Sequence, residues 1–118
     1  MDDQTLLRTM LFDFFSDLLT EKQREYYDLY HNEDLSLSEI SQRVGISKQG
    51  VYDIITRAEK VLEEIEDKTG VVQRWLKTRE ELGNARNIAE SMLLAAGDNR
   101  ELTILIGELV QSLEKAGN

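Results

Sequence analysis

The chain has 118 residues, which suffices for one domain with a modest hydrophobic core, and it contains neither cysteine nor proline. The missing cysteines exclude disulfides, thiolate metal sites and cysteine nucleophiles, and the missing prolines permit long helices, so we expect an all-α fold. The 14 basic and 23 acidic residues give a formal net charge of −9, which argues against strong sequence-independent binding to nucleic acid.

Apolar residues spaced by three and four predict a first helix from Gln4 to Leu19. Its broad apolar face is more typical of a protein core than of a ligand pocket. The residues expected to face inward are Leu7, Met10, Leu11, Phe14, Phe15 and Leu18.

A capping-box pattern marks the start of a second helix. Thr20 is followed three residues later by Gln23, so that each side chain can accept from the other residue's backbone N–H. This helix is expected to run to about His31. The side chains expected to face inward on it are Tyr26, Leu29 and Tyr30. His31 is the only histidine, and without a second histidine or a cysteine nearby it is not expected to bind a metal or act as a base.

The stretch Leu35–Lys60 has the layout of a helix-turn-helix, in which a short helix supports a second helix that can enter a DNA major groove. Ser36 and Glu39 form another capping box, and Gly45 is suited to end this short helix in a left-handed conformation. Ser47 then lies where an N-cap would begin the second helix.

Aliphatic residues at helical spacing mark the inward faces of this motif. Ile40 and Val44 lie four residues apart, and Val51 and Ile54 lie three apart. Ile46 is expected to fill the corner between the two helices.

The second helix of the motif has no breaker before Gly70, and its far half carries carboxylates that would repel phosphates. Residues 36–60 hold four basic and three acidic side chains, whereas residues 1–35 hold three basic and nine acidic ones. Only the N-terminal turns of this helix are therefore expected to read DNA.

The C-terminal part is also expected to be helical. A helix with the sole tryptophan, Trp75, is predicted over residues 71–82, and Gly83 with Asn84 either breaks it or merely weakens it. Residues 85–116 predict an antiparallel helix pair so apolar that self-association as a homodimer is expected to cover part of it. The predicted domains are a helix-turn-helix domain, residues 1–75, and a C-terminal helical extension, residues 76–118.

With Val51 and Ile54 facing the core, the other faces of the second helix carry chemistry that suits DNA. Gln49 can make two hydrogen bonds to adenine and Lys48 can reach guanine or phosphate, whereas Asp53 can accept only from cytosine N4 and otherwise repels phosphate. The candidate DNA-binding residues are Arg43, Ser47, Lys48, Gln49, Tyr52, Thr56 and Arg57. The alternative interpretation is a helical hairpin with an ordinary solvated face.

Over about residues 5–75, the chain resembles the YlxM-like (p13) family of small bacterial helix-turn-helix proteins. The matching segments are LTEKQ at 19–23, LSEI at 37–40, VGIS at 44–47 and GVYD at 50–53. Residues 18–65 are more distantly similar to region four of sigma factors of the sigma-70 class. That similarity implies that Lys48, Gln49 and Tyr52 face DNA.

The resemblance implies a cytoplasmic, all-α, regulatory protein. Genes of this family tend to lie beside those of the signal recognition particle GTPase and its receptor, which implies by association a role in that pathway. One departure is Ser41, where helix-turn-helix proteins usually place alanine. We expect its hydroxyl to bond back to the carbonyl of Leu37.

Two functions of different classes follow. The first is a DNA-binding regulatory protein, dimerised through its C-terminal helices so that two reading helices act together. The alternative is an adaptor that does not bind DNA and contacts the signal recognition particle protein or its RNA complex through an acidic surface. An enzyme, a cofactor and a metal site are not expected, because the sequence shows neither a glycine-rich phosphate loop nor metal-ligand spacing. An acidic N-terminus and no apolar run near the ~20 residues that span a bilayer indicate a cytoplasmic protein without a membrane partner.

Overall fold

A computed structural model describes residues 3–117, and all regular structure in that range is helical, which confirms the all-α class. The helices are α1 Asp3–Phe15, α2 Glu21–Tyr27, α3 Leu37–Val44, α4 Lys48–Thr69, α5 Val71–Ala96 and α6 Arg100–Ala116. A 3₁₀ turn, Ser16–Leu18, follows α1, and a π turn, Asp28–Asn32, continues α2. The chain divides into two compact units, and the division falls between Val72 and Gln73. The predicted domain boundary after residue 75 stays a prediction.

Side chains at the helix starts confirm the predicted capping boxes. Thr20 Oγ1 accepts from the backbone N–H of Gln23 at 3.2 Å, and Gln23 Oε1 accepts from that of Thr20 at 3.0 Å. Ser36 and Glu39 make the same reciprocal pair, each bond 3.1 Å long. Each cap satisfies N–H groups that the helix itself cannot, at a gain of about 1 kcal/mol.

The core of the first unit lies where α1, α2 and α3 pack on α4. Tyr27 is 1% exposed, and its ring stacks on Phe12 with centroids 5.0 Å apart. The π turn is tied to α4 by His31, whose Nε2 lies 2.6 Å from Glu59 Oε1. The buried residues of this unit are Leu11, Phe15, Leu19, Tyr26, Tyr27, Leu29, Ile40, Val51, Ile55, Ala58, Leu62 and Val72.

Three side chains predicted to face inward are exposed instead. Leu18 is 65% exposed because α1 ends at Phe15, and the tighter 3₁₀ turn changes the angular spacing and buries Leu19 instead. Phe14 is 40% exposed although it lies within α1, where Leu11 and Phe15 are the buried residues. Tyr30 is 37% exposed, because each residue of the wider π turn advances by a smaller angle around the helix axis.

In the second unit, α5 runs without interruption through Gly83 and Asn84, so these residues weaken the helix without breaking it. Asn99 begins α6, with its Oδ1 accepting from the N–H of Leu102 at 3.1 Å. The two helices are joined by an ion pair, Arg86 Nη2 to Glu114 Oε1, at 3.0 Å. None of the helices in residues 3–117 is long and apolar enough to cross a membrane.

Candidate nucleic-acid interface

Gly45 and Ser47, in the turn between α3 and α4, have the roles that the sequence predicts. Gly45 ends α3 with φ +80°, and its N–H donates to the carbonyl of Ser41 at 2.9 Å. Ser47 begins α4, and its Oγ accepts from the N–H of Gly50 at 3.0 Å. A left-handed residue and an N-cap only two positions apart fix the crossing of the two helices.

Apolar packing holds the two helices together. Ile40 and Val51 are fully buried, and Ile55 is 3% exposed. Val44 and Ile54 pack against this cluster while remaining partly buried. The inward position predicted for Val51 is confirmed, whereas Ile54 lies on the flank and Ile55, which the prediction omitted, occupies the centre.

The expectation that Ile46 fills the corner is wrong, because its side chain is 36% exposed. It lies beside Gly50, where an added Cβ would come within 3.4 Å of Ile46 Cδ1 and 3.2 Å of Ser47 Oγ. The missing side chain of Gly50 therefore leaves room for the turn. Ser41 also departs from expectation, because its hydroxyl donates to the carbonyl of Ile46 rather than of Leu37. The left-handed Gly45 folds the chain back and brings that carbonyl within reach.

The candidate DNA-binding residues are all exposed. With 100° per residue, Gln49, Asp53 and Thr56 lie opposite the buried stripe of α4, and Lys48 with Tyr52 lies on one flank. Arg57 lies on the other flank. Arg43 is exposed in the last turn of α3, and Ser47 is exposed although it serves as the cap. The structure thus gathers five candidates on the first three turns of α4, with one basic residue on α3 and one capping hydroxyl beside them.

A hydrogen bond within this surface was missed by sequence reasoning. Gln49 Nε2 donates to Asp53 Oδ1 at 2.9 Å. The signal was present, because residues four apart on a helix are neighbours. Asp53, judged unfavourable when considered alone, is the partner of the best candidate for contacting a base.

Charge is distributed unevenly along α4. Residues 48–57 carry two basic side chains and one acidic one, whereas residues 58–69 carry two basic and five acidic side chains. The positive end of the helix dipole lies at the N-terminus. A polyanion therefore meets attraction at the first turns and repulsion beyond them.

The ring of His31 is held by neighbouring side chains. Its Nε2 is engaged by Glu59, and its ring packs against Tyr27 and Tyr30 with centroids 4.4 Å and 5.0 Å away. Among residues 3–117, no group of three or more histidine, cysteine or acidic side chains is placed to hold a metal ion. The contact with Glu59 spans 28 positions of sequence, so local spacing could not reveal it.

A short capped helix, a turn through a left-handed glycine and a second capped helix with an exposed polar face define a helix-turn-helix protein. The family described as "Putative helix-turn-helix protein, YlxM / p13 like" matches residues 2–99, and the chain belongs to it. The resemblance to this family that the sequence analysis described is confirmed.

Similar proteins come from several bacteria. The chain is 40% identical over 115 residues to a UPF0122 protein of Thermoanaerobacter sp. (strain X514), covering 98% of this chain and 97% of that protein. It is 40% identical over 109 residues to one from Geobacillus sp. (strain WCH70), covering 92% and 96%. It is 48% identical over 80 residues to one from Halalkalibacterium halodurans, covering 68% and 73%.

Proposed function

We propose that this chain is a DNA-binding regulatory protein that inserts the N-cap and the first three turns of α4, Ser47 to Arg57, into a major groove. The carrying observation is the exposed polar face of α4 beyond a turn of helix-turn-helix geometry. Family membership suggests DNA binding, and the all-helical fold suggests a regulator rather than an enzyme.

Each candidate residue has a role that its chemistry allows. Gln49 contacts a base edge, and Lys48 contacts guanine or a phosphate. Tyr52 and Thr56 donate to phosphate oxygens. The hydroxyl of Ser47 stays with its cap, so its contribution is to start the helix at the correct residue.

Arg43 and Arg57 hold the phosphate backbone from α3 and from the far flank of α4. With Lys48 they make three basic contacts, which corresponds to a slope of about −3 for log affinity against log salt. Binding to arbitrary duplexes is expected to be weak, because the rest of the chain is strongly acidic.

Selection from a random DNA library, followed by fluorescence anisotropy at low salt, tests this function. Lys48→Ala together with Arg57→Ala is expected to weaken binding and to reduce the salt slope by about two. Lys68→Ala, in the last turn of α4, is the matched control and should bind like the parent protein. Unchanged affinity in the double variant would show that another surface contacts DNA.

We further propose that the helix pair α5–α6 makes the protein a homodimer. Five large apolar side chains, between 42% and 63% exposed, lie on the side of the pair away from Arg86 and Glu114: Ile88, Met92, Leu102, Leu105 and Leu109. They expose on the order of 500 Å² of apolar surface, comparable to the largest patch on a typical monomer and to much of a standard interface. A second copy would cover it as a four-helix bundle.

Analytical ultracentrifugation tests the dimer with two variants of matched exposure. Leu105 is 53% exposed and lies on this face, whereas Ile104 is 56% exposed and lies nearly opposite the buried Ile106. Leu105→Glu is expected to give a monomer, and Ile104→Glu a dimer. A parent protein that stays monomeric at all concentrations would contradict the proposal.

A second candidate function is an adaptor of the signal recognition particle pathway that does not bind DNA. The net charge of −9 supports it, because an acidic surface complements a basic protein or ribonucleoprotein. Pull-down with the purified particle tests it. Reversing the exposed Asp13 and Asp17 to lysine should abolish retention, and reversing Asp67 alone should not. No retention of the parent protein would count against this function.

A further inference from the structure

Gln49 and Asp53 form a hydrogen-bonded pair at the centre of the exposed face of α4. Their contact, Nε2 to Oδ1, is 2.9 Å long, and both side chains are open to solvent. The pair lies opposite the buried Val51 and Ala58. This is the part of a recognition helix that comes nearest to base edges in a major groove.

We propose that Asp53 is a positioning residue that restricts Gln49 to reading adenine and makes it reject guanine. The inference rests on the proposed DNA-binding function and adds the base that this position selects.

The bonding capacity of the Gln49 amide gives the physical reason. A glutamine amide has two N–H donors and one carbonyl acceptor. Since Asp53 takes one N–H, one N–H and Oε1 remain. These match the N7 acceptor and the N6 amino group that adenine presents in the major groove.

Guanine requires the donors that Asp53 has removed. Its major-groove edge presents two acceptors, N7 and O6, so a glutamine could bond both only by using both of its N–H groups. Rotating the amide by half a turn would not help, because Oε1 would then face the carboxylate of Asp53. Against guanine, Gln49 must therefore either leave O6 facing Oε1 or break its bond to Asp53.

The same carboxylate lowers affinity for DNA in general, because it brings a negative charge close to phosphates. Affinity and selectivity should therefore move in opposite directions when Asp53 is changed. A purely structural role for Asp53 would lower both together.

The test compares two duplexes that contain the selected site, one with adenine and one with guanine at the base contacted by Gln49. The parent protein is expected to prefer adenine by about tenfold or more. Asp53→Ala should reduce that preference to about threefold or less while strengthening binding to an unrelated duplex. Gln49→Ala should remove the preference, and adding Asp53→Ala to it should change the preference no further.

Two controls separate charge from positioning. Asp53→Asn keeps an oxygen that accepts from Gln49, so it should retain the adenine preference while gaining general affinity. Asp67→Ala removes an equal charge from the far half of α4 and should keep the preference. Far-UV circular dichroism should show helix content preserved in every variant, since alanine is the best helix former and asparagine has nearly the helix propensity of aspartate.

The outcomes distinguish this inference from the function on which it rests. If the parent protein enriches no sequence and binds no duplex, the DNA-binding proposal fails and this inference fails with it. If a site is enriched but its adenine preference survives Asp53→Ala or Gln49→Ala, the positioning role is overturned and DNA binding stands.

Discussion

Gly45, the left-handed residue at the end of α3, is a position where the effect of backbone strain on stability can be measured without an effect of side-chain packing. An added Cβ at Gly45 would meet nothing within 4 Å, so Gly45→Ala introduces no clash. Its φ of +80° is nevertheless unfavourable for alanine, and we expect a loss of about 1–2 kcal/mol in the free energy of unfolding. Gly83 also has open space around it but lies inside α5, so Gly83→Ala should stabilise the protein by about 0.5–1 kcal/mol.

The chain carries separate reporters for its two units. All four tyrosines lie at positions 26–52, in the first unit, and the sole tryptophan, Trp75, lies in the second. Thermal unfolding followed by tyrosine near-ultraviolet circular dichroism should show Gly45→Ala lowering the midpoint by roughly 4 °C or more, at about 4–8 °C per kcal/mol for a domain of this size. Fluorescence of Trp75 should show Gly83→Ala raising the midpoint of the second unit.

The decisive result is that the same substitution, glycine to alanine, lowers the stability at position 45 and raises it at position 83. A neutral Gly45→Ala would mean that the turn is not held in the left-handed conformation in solution. A destabilising Gly83→Ala would mean that α5 is not helical at residue 83. Either result would refute the reasoning from backbone conformation.

Three further expectations concern local groups. Ser47→Ala should cost about 1 kcal/mol of stability and Ser47→Asn much less in a urea titration, because asparagine can still cap α4. Burial raises the pKa of Tyr27 above its ordinary value of 10.0, so the stability that depends on the neutral phenol is complete below pH 10.0 and is lost as pH rises above it. In an alkaline titration followed by absorbance at 295 nm, one tyrosine should therefore ionise only when the protein unfolds. Tyr27→Phe should remove that step. Hydrogen bonds with Ser36 lower the pKa of Glu39 from 4.5, and the bond from the backbone N–H of Ser36 has the largest effect. The stability that depends on the ionised carboxylate is present above pH 4.5 and is lost as pH falls through the lowered pKa. Glu39→Gln should flatten that part of the stability profile, and an unchanged profile would contradict the assignment.

Helix starts could be predicted from the sequence because their signals are local. Thr20, Ser36, Ser47 and Asn99 each cap a helix by accepting from an N–H three residues later, so no tertiary contact is needed to recognise them. The left-handed Gly45 follows from the same kind of local signal.

Side-chain facing was harder to predict because it depends on what packs against each helix. Ile54 and Ile55 are equally apolar neighbours, and only the packing of the other helices against α4 makes Ile55 the central residue. Leu18 and Tyr30 were misplaced because a 3₁₀ turn and a π turn changed the angular spacing on which the prediction relied.

The candidate DNA-facing residues of α4 could be predicted from the sequence, because assigning its apolar residues to the core left the other residues on its solvated faces. The bond between Gln49 and Asp53 was missed because each residue was compared with DNA rather than with its neighbour. The contact between His31 and Glu59 joins distant parts of the chain and required the fold.

The π turn after α2 also affects how this region tolerates changes in chain length. Within it the N–H of Glu33 donates to the carbonyl of Asp28, five residues earlier, at 3.1 Å, so the turn holds one residue more than an α-helical turn. Deleting one residue of this turn before His31 would convert it to an ordinary helical turn without interrupting the backbone hydrogen bonds. The following residues would rotate by about 100°, and His31 would lose its alignment with Glu59. A relative one residue shorter here can therefore keep α2 and α3 while lacking the tie between the π turn and α4.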